Sequence, residues 1–233
     1  MQYPSVSVCF PAYNEAAVIR EVLEEAYQIM EASGLDYEIL VCNDGSRDGT
    51  AEIVDELDRT IPTLKVFHNV PNQGMRYTYE LLYHSGTKDF IFLNDADRQW
   101  PTECLFDLLR LTEDYDIVIA KRRNKNYGWY RQFVSDSYNR ICRWVFGVKT
   151  YDAGAVKLVK REIVHRFPLV SLSPFTEAER IIRATRAGYR VTACVVETRP
   201  RETGVATGAK FGLIYEALQD VVRVWWSLNG KRN

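Results

Sequence analysis

Apolar and polar positions along this chain follow two rhythms that take turns. Short apolar runs have the length and the β-branched and aromatic content of strands: SVSVCF (5–10), YEILVC (37–42), LKVFH (64–68), DFIFLN (89–94) and DIVIA (116–120). Helical spacing fills the gaps. From Ala16 to Ser33, Val18, Val22, Ala26 and Met30 recur every four positions, with Ile19, Leu23 and Ile29 beside them and Gly34 as a C-cap. The same spacing returns over Ala51–Arg59, Gln73–Ser85 and Thr102–Thr112. Strands alternating with helices predict an α/β fold, a mostly parallel sheet covered on both faces and built with right-handed crossovers.

The pattern changes after Ala120. Residues 121–143 carry Lys121, Arg122, Arg123, Lys125, Arg131, Arg140 and Arg143 against the single acid Asp136, with Tyr127, Trp129, Tyr130, Phe133 and Tyr138 interleaved. Such a segment suits phosphates, a membrane surface or nucleic acid, and equally a solvated helical face packed by its aromatics. Beyond it, 150–159 reads as a turn into a strand, Pro174–Ala187 as a helix and YRVTACVVE (189–197) as a half-buried strand. RPRETGVATGAK (199–210) reads as a flexible loop and Phe211–Leu228 as a last helix ending in Trp225, Trp226 and a basic tail. These divide one domain into a first half, 1–120, and a second, 121–233.

In open parallel sheets, ligands bind beyond the carboxyl ends of the strands. The unusual loops fall there: PAYNE after the first strand, NDGSRDGT after the second, NDADRQ after the fourth and KRRN after the fifth. Asp95 and Asp97 stand two apart at a strand end. Residues i and i+2 of an extended segment point to the same side, so the two carboxylates face one point and repel unless a cation sits between them. That pair suits Mg²⁺ or Mn²⁺, held by one or two carboxylates together with substrate phosphates. Gln99 adds an amide oxygen if the chain stays extended. No histidine is placed for zinc; His68 reads as a strand-end residue.

Composition narrows the setting. The 233 residues fit one large domain, and 46% hydrophobic content supplies a sizeable core. Thirty basic residues against 31 acidic give a net charge of -1, with no global attraction to nucleic acid. The five cysteines, without close pairs or metal-thiolate spacing, read as free thiols in a reducing compartment. The longest uncharged run, Met1–Asn14, is too short and polar for the ~18 apolar residues of a membrane span, and no signal peptide is evident. The expectation is a cytoplasmic protein.

PAYNE (11–15), NDGSRDGT (43–50), DADRQWP (95–101), DAGAVKLVKRE (152–162) and RPRETG (199–204), in this order and spacing, resemble the family 2 glycosyltransferases of the GT-A fold, nearest to the dolichol-phosphate mannose synthase-like, polyprenyl-phosphate branch. The resemblance implies a Rossmann-like sheet with a small C-terminal acceptor-side extension. It implies inverting, Mg²⁺- or Mn²⁺-dependent hexosyl transfer from a nucleotide-sugar donor to a polyprenyl phosphate at the inner face of the membrane. The first half of the chain would then bind the nucleotide sugar, and the second the acceptor through interfacial helices.

Residue by residue, the resemblance places Pro11, Tyr13, Glu15, Asn43, Asp44 and Asp95 about the nucleotide. Asp95, Asp97 and Gln99 match the metal and diphosphate motif. Arg122, Arg131, Arg199, Arg201 and Lys210 match groups near donor or acceptor phosphates, and Asp152 an acid near the acceptor. The last segment is similar to a mobile loop that closes over the site. Two departures fall on the donor side: Asn43 replaces the first acid of the usual Asp-Asp-Gly-Ser, and Gly74-Met75-Arg76-Tyr77 replaces small residues at a helix start.

A phosphate acceptor is already anionic and needs little help from a base. A hydroxyl of a lipid-linked sugar or polysaccharide needs one, and Asp152 is the candidate. A nucleotidyltransferase would show a Gly-rich loop with Arg and Pro after the first strand, which PAYNE is not. A non-catalytic nucleotide-sugar sensor has no need of intact Asp95, Asp97 and Asp152.

Overall fold

The computed structural model describes residues 3–123, 129–151, 155–199 and 211–230, with 129–135, 211 and 213 described by backbone alone. The first half is a strict alternation: β1 (Val6–Ala12), α1 (Ile19–Ser33), β2 (Tyr37–Asn43), α2 (Thr50–Asp58), β3 (Leu64–His68), α3 (Met75–Ser85), β4 (Phe90–Leu93), α4 (Cys104–Leu109) and β5 (Ile117–Arg122). Then follow α5 (Trp129–Phe146), β6 (Lys157–Lys160), α6 (Arg161–Arg166), α7 (Thr176–Arg186), β7 (Val191–Val196) and α8 (Phe211–Asn229). The short α6 has no counterpart in the apolar spacing. The basic, aromatic stretch divides into the end of β5 and the long helix α5.

One seven-stranded sheet runs β3-β2-β1-β4-β6-β5-β7. Every pairing is parallel except those of β6, which lies antiparallel between β4 and β5. The four residues of β4 are all buried, as expected of a central strand covered on both faces, whereas the edge strands β3 and β7 are only partly covered. Helix α1 buries Ile19, Val22, Leu23, Ala26 and Met30, and it ends where Gly34 turns left-handed (φ 66°) and returns its N–H to Glu31.

β1 pairs with β2 on one side and β4 on the other, so the chain's direction of travel across the sheet reverses between β1 and β4. The loops after these two strands therefore flank the crevice where ligands settle in such sheets. Antiparallel β6 begins at this same rim: Lys157 lies opposite Leu93, the last residue of β4.

The opposite end of the sheet is closed by one carboxylate. Buried Glu38 on β2 accepts from Ser7 Oγ (2.7 Å), Lys65 Nζ (2.7 Å), Thr87 N (2.6 Å) and Thr87 Oγ1 (2.8 Å), which ties β1, β2, β3 and the approach to β4 together. Burial pushes its pKa up, but these donors outweigh burial and hold it at about 2. A depressed carboxylate contributes stability that is present above its unfolded value and lost as pH falls through the folded one. Acid titration of stability should therefore steepen between pH ~4.5 and ~2. Glu38→Gln should remove that steepening and lower Tm, by about 2–4 °C per kcal/mol for a chain of this size. Thermal melts of both proteins from pH 2 to 7 test this, and superimposable pH profiles would refute it.

Candidate active site

The loops after β1 and β2 are zipped together by backbone donors. Asn14 N donates to Ser46 Oγ (2.9 Å), Arg47 N to Asn14 Oδ1 (2.9 Å), Glu15 N to Thr50 Oγ1 (2.9 Å) and Ala16 N to Asp48 Oδ2 (3.0 Å). Pro11 and Glu15 are half-buried along this seam, and Tyr13 projects into solvent. Gly45 has φ +69°, and a Cβ there would meet Asn72 N at 2.6 Å, so no other residue lets the 69–74 loop approach so closely.

Asp44 is the post for that loop. Its Oδ1 accepts from Asn69 Nδ2 (2.8 Å) and Gln73 N (2.9 Å), and its Oδ2 from Gly74 N (2.9 Å). Asn43 is fixed beside it: Oδ1 accepts from Ser46 N (3.1 Å), and Nδ2 lies 3.1 Å from His68 Nδ1. His68 Nε2 lies 2.9 Å from Asp55, so a chain Asp55–His68–Asn43 sets the amide if His68 carries its proton on Nε2. His68 thus has a part in the nucleotide-side loop that strand-end spacing alone does not reveal.

The Asp95–Asp97 loop leaves β4 across the crevice. Asp97 and Gln99 are buried and Asp95 half-buried; Gln99 N donates to Asp97 Oδ1 (3.0 Å). The Gln99 side-chain oxygen Oε1 accepts from Arg122 Nη2 (2.7 Å), so in this arrangement its partner is the guanidinium at the end of β5. That guanidinium also stacks over Trp100, 4.7 Å from the ring centroid. Arg199, just past β7, forks onto Glu25 of α1 (2.9 and 2.7 Å), and its backbone N–H binds Gln99 O (2.9 Å). Arg98 pairs with Glu21, one turn earlier on α1. Val22, Glu25, Asp95, Arg98, Trp100 and Arg199 are among the residues lining a small cleft here.

Asn14, Arg98 and Tyr151 are the non-glycine residues with positive φ among those described (56°, 61° and 56°). Asn14 and Arg98 sit in loops at this rim, where such backbone costs about 1–3 kcal/mol per residue; Tyr151 instead donates to Val191 O at the start of β7. Arg131 lies on α5 with its side chain outside the described residues. Asp152, Arg201 and Lys210 also lie outside them.

Among the described residues no group of three or more His, Cys, Asp or Glu side chains is arranged to hold a metal. Asp95 and Asp97, following β4, supply the two carboxylates that suffice for a hard cation when phosphate and water give its remaining ligands. The five thiols are free, and four are buried. No helix among the described residues is long and apolar enough to cross a membrane.

A doubly wound sheet with paired acids near its reversal point and arginines beside them is the arrangement expected of a GT-A glycosyltransferase. The chain belongs to glycosyl transferase family 2, whose family model matches residues 7–168. Its fold is similar to mannosyl-3-phosphoglycerate synthase from Rubrobacter xylanophilus, with TM-score 0.75 and 16% identity over 99% of this chain and 76% of that one. Glucosyl-3-phosphoglycerate synthase from Mycobacterium tuberculosis, solved with Mn²⁺, UDP and phosphoglyceric acid, gives 0.73 and 16% over 95% and 78%. A mannosyltransferase from Pyrobaculum calidifontis, solved with GDP-Man and Mn²⁺, gives 0.61 and 18% over 100% and 77%.

Proposed function

We propose that this chain is an inverting, metal-dependent glycosyltransferase that moves a sugar from a nucleoside diphosphate to a prenyl phosphate at a membrane surface. The observation that carries the acceptor is the outer face of α8. Its inner face is pinned: Asp220 Oδ2 accepts from Leu172 N (3.0 Å), Ser173 N (2.8 Å) and Ser173 Oγ (2.7 Å), and Val224 is buried. Yet Tyr215 (65% exposed), Leu218, Val222 (55%), Trp225 and Trp226 (63%) lie on the solvent side, within a sector of about 100° at 3.6 residues per turn. Exposed Arg223 borders that stripe, and α5, which packs on α8, exposes Trp144 (87%) with Arg140 and Arg143. Tryptophan beside arginine on an apolar helix face suits the headgroup boundary of an anionic bilayer.

In this reading Asp95 and Asp97 hold the cation together with the donor diphosphate. Mg²⁺ or Mn²⁺ bound there supplies Lewis-acid stabilisation of the departing diphosphate. Arg122, fixed by Gln99 and Trp100, adds positive charge beside the same phosphates. The acceptor phosphate oxygen bonds to the anomeric carbon as the bond to the nucleoside diphosphate breaks, with inversion. No proton need be removed from the acceptor, and Asp152 orients it or a basic partner. Pro11, Tyr13, Glu15, Asn43 and Asp44 frame the nucleotide, directly or, for Asp44, by holding the 69–74 loop.

A second reading, transfer to a hydroxyl with Asp152 as base, is favoured by the similar folds whose names or bound acceptors are phosphoglycerates. An acceptor panel separates the two: prenyl phosphate in anionic liposomes, a prenyl-linked sugar, and phosphoglyceric acid in solution, each with Mn²⁺ and a set of UDP- and GDP-sugars. The expected result is transfer to the prenyl phosphate and liposome binding that weakens with salt. Trp225→Ser/Trp226→Ser should lower that transfer about tenfold while sparing donor hydrolysis. Transfer confined to a hydroxyl acceptor, with no liposome binding at low salt, would put the second reading in its place.

A further inference from the structure

Helix α1 makes no obvious contribution to the chemistry, yet two of its carboxylates reach the metal loop. Glu21 and Glu25 are one turn apart and so share a face. Glu21 takes Arg98, the residue directly after Asp97, whose backbone is held left-handed at φ 61°. Glu25 takes both arms of Arg199 in a bidentate fork, and among the described residues Arg199 is its ion-pair partner. A fork of this kind fixes orientation as well as distance. Arg199 in turn donates its backbone N–H to the carbonyl of Gln99 (2.9 Å). The same Gln99 holds Asp97 through its own backbone N–H (3.0 Å) and Arg122 through its side-chain oxygen (2.7 Å). A continuous run of contacts thus leads from the half-buried Glu25 carboxylate on α1 to one acid of the pair and to the arginine beside it.

We propose that Glu25 is a positioning residue for the transfer reaction: through Arg199 and Gln99 it sets the orientation of Asp97 and Arg122. Glu21 supports the same loop through Arg98. This rests on the reading of Asp95 and Asp97 as the carboxylates that hold the divalent cation. Arg199 on this account acts from behind the loop, as the fastening of its rear wall.

The test compares wild type, Glu25→Gln, Arg199→Ala, the double variant and the control Glu24→Gln, whose exposed carboxylate faces Arg20 instead. Mn²⁺ is titrated in the presence of UDP or GDP, donor turnover is measured at saturating metal, and thermal midpoints are recorded. Groups that hold a ligand's orientation typically cost 10–100-fold when removed. Glu25→Gln is expected to weaken Mn²⁺ binding and lower kcat by about tenfold, with its thermal midpoint close to wild type. The double variant should be no worse than Arg199→Ala, because both changes break one connection, and Glu24→Gln should match wild type. Unaltered Mn²⁺ affinity and kcat in Glu25→Gln, or losses that multiply in the double variant, would overturn the inference. A wild type that binds no Mn²⁺ with either nucleotide would overturn the metal reading as well, which separates the two failures.

Discussion

Asp97→Asn should reduce sugar transfer by about a thousandfold or more while leaving the fold in place. A divalent ion clamped on a leaving diphosphate contributes several kcal/mol to the transition state, and each 1.36 kcal/mol is tenfold in rate. The asparagine keeps the oxygen that accepts from Gln99 N, which lies 3.0 Å from Asp97 Oδ1, so that loop contact is retained. On the proposed reading of Asp95 and Asp97 as the metal's carboxylates, what is lost is half the fixed negative charge facing the cation. Because the described residues offer no third acidic or imidazole ligand, the protein cannot compensate from elsewhere in them. Mn²⁺ titration with nucleotide present, turnover and a thermal melt on one preparation decide the matter. Equal metal affinity and turnover would remove Asp95–Asp97 from the mechanism. Lost turnover with unchanged metal affinity would move Asp97 from the metal to the substrate.

The first half of the fold was legible because its signals are local. Four-residue spacing in α1, the uninterrupted apolar β4 and the strand–helix alternation are each consequences of burial on a known period. Element ends were less so: the helical spacing from Ala16 begins as a helix at Ile19, since Glu15 O first collects the N–H groups of Val18 and Ile19 in a turn. Antiparallel β6 was read as a strand, but its direction and its seat between β4 and β5 are long-range facts with no local trace. The site divides in the same way. Extended geometry predicts that Asp95 and Asp97 share a side, but β4 ends at Leu93 and the backbone is left-handed by Arg98, so that local rule does not reach the whole loop. That Gln99 engages Arg122, that Arg199 forks onto Glu25 and that Asp44 holds residues 69–74 depends on partners 23, 174 and 25–30 positions away. Side-chain chemistry shows that such groups need partners; only topology says which ones meet.

Behind the rim lies a buried ion pair whose disruption should give the largest stability change. Lys157, the first residue of β6, is almost fully enclosed, and its Nζ lies 2.6 Å from Glu177 Oε2 of α7. Tyr83 of α3 donates to the same oxygen (3.0 Å). Burial pushes the Glu177 pKa up, but Lys157 and then Arg180 outweigh it and hold the carboxyl below its usual range. Lys157→Met keeps the volume and leaves Glu177 as a buried charge short of its main partner. Breaking such a pair costs about 3–5 kcal/mol, or a fall in Tm of about 2–4 °C per kcal/mol. Arg180 Nε, 3.8 Å from Glu177 Oε1, keeps the expected loss toward the lower end.

The pH dependence carries the sign. In wild type the depressed carboxyl contributes stability above its unfolded pKa. In the variant its pKa rises, so ionisation becomes a penalty over that same range. The gap in stability between the two proteins should therefore be small near pH 4 and widen toward neutrality. Adding Glu177→Gln to Lys157→Met should recover much of the loss, because an amide can still accept from Tyr83 without carrying charge. A gap that does not change with pH, or a double variant weaker than Lys157→Met alone, would mean that Lys157 is held for its packing and not for its charge.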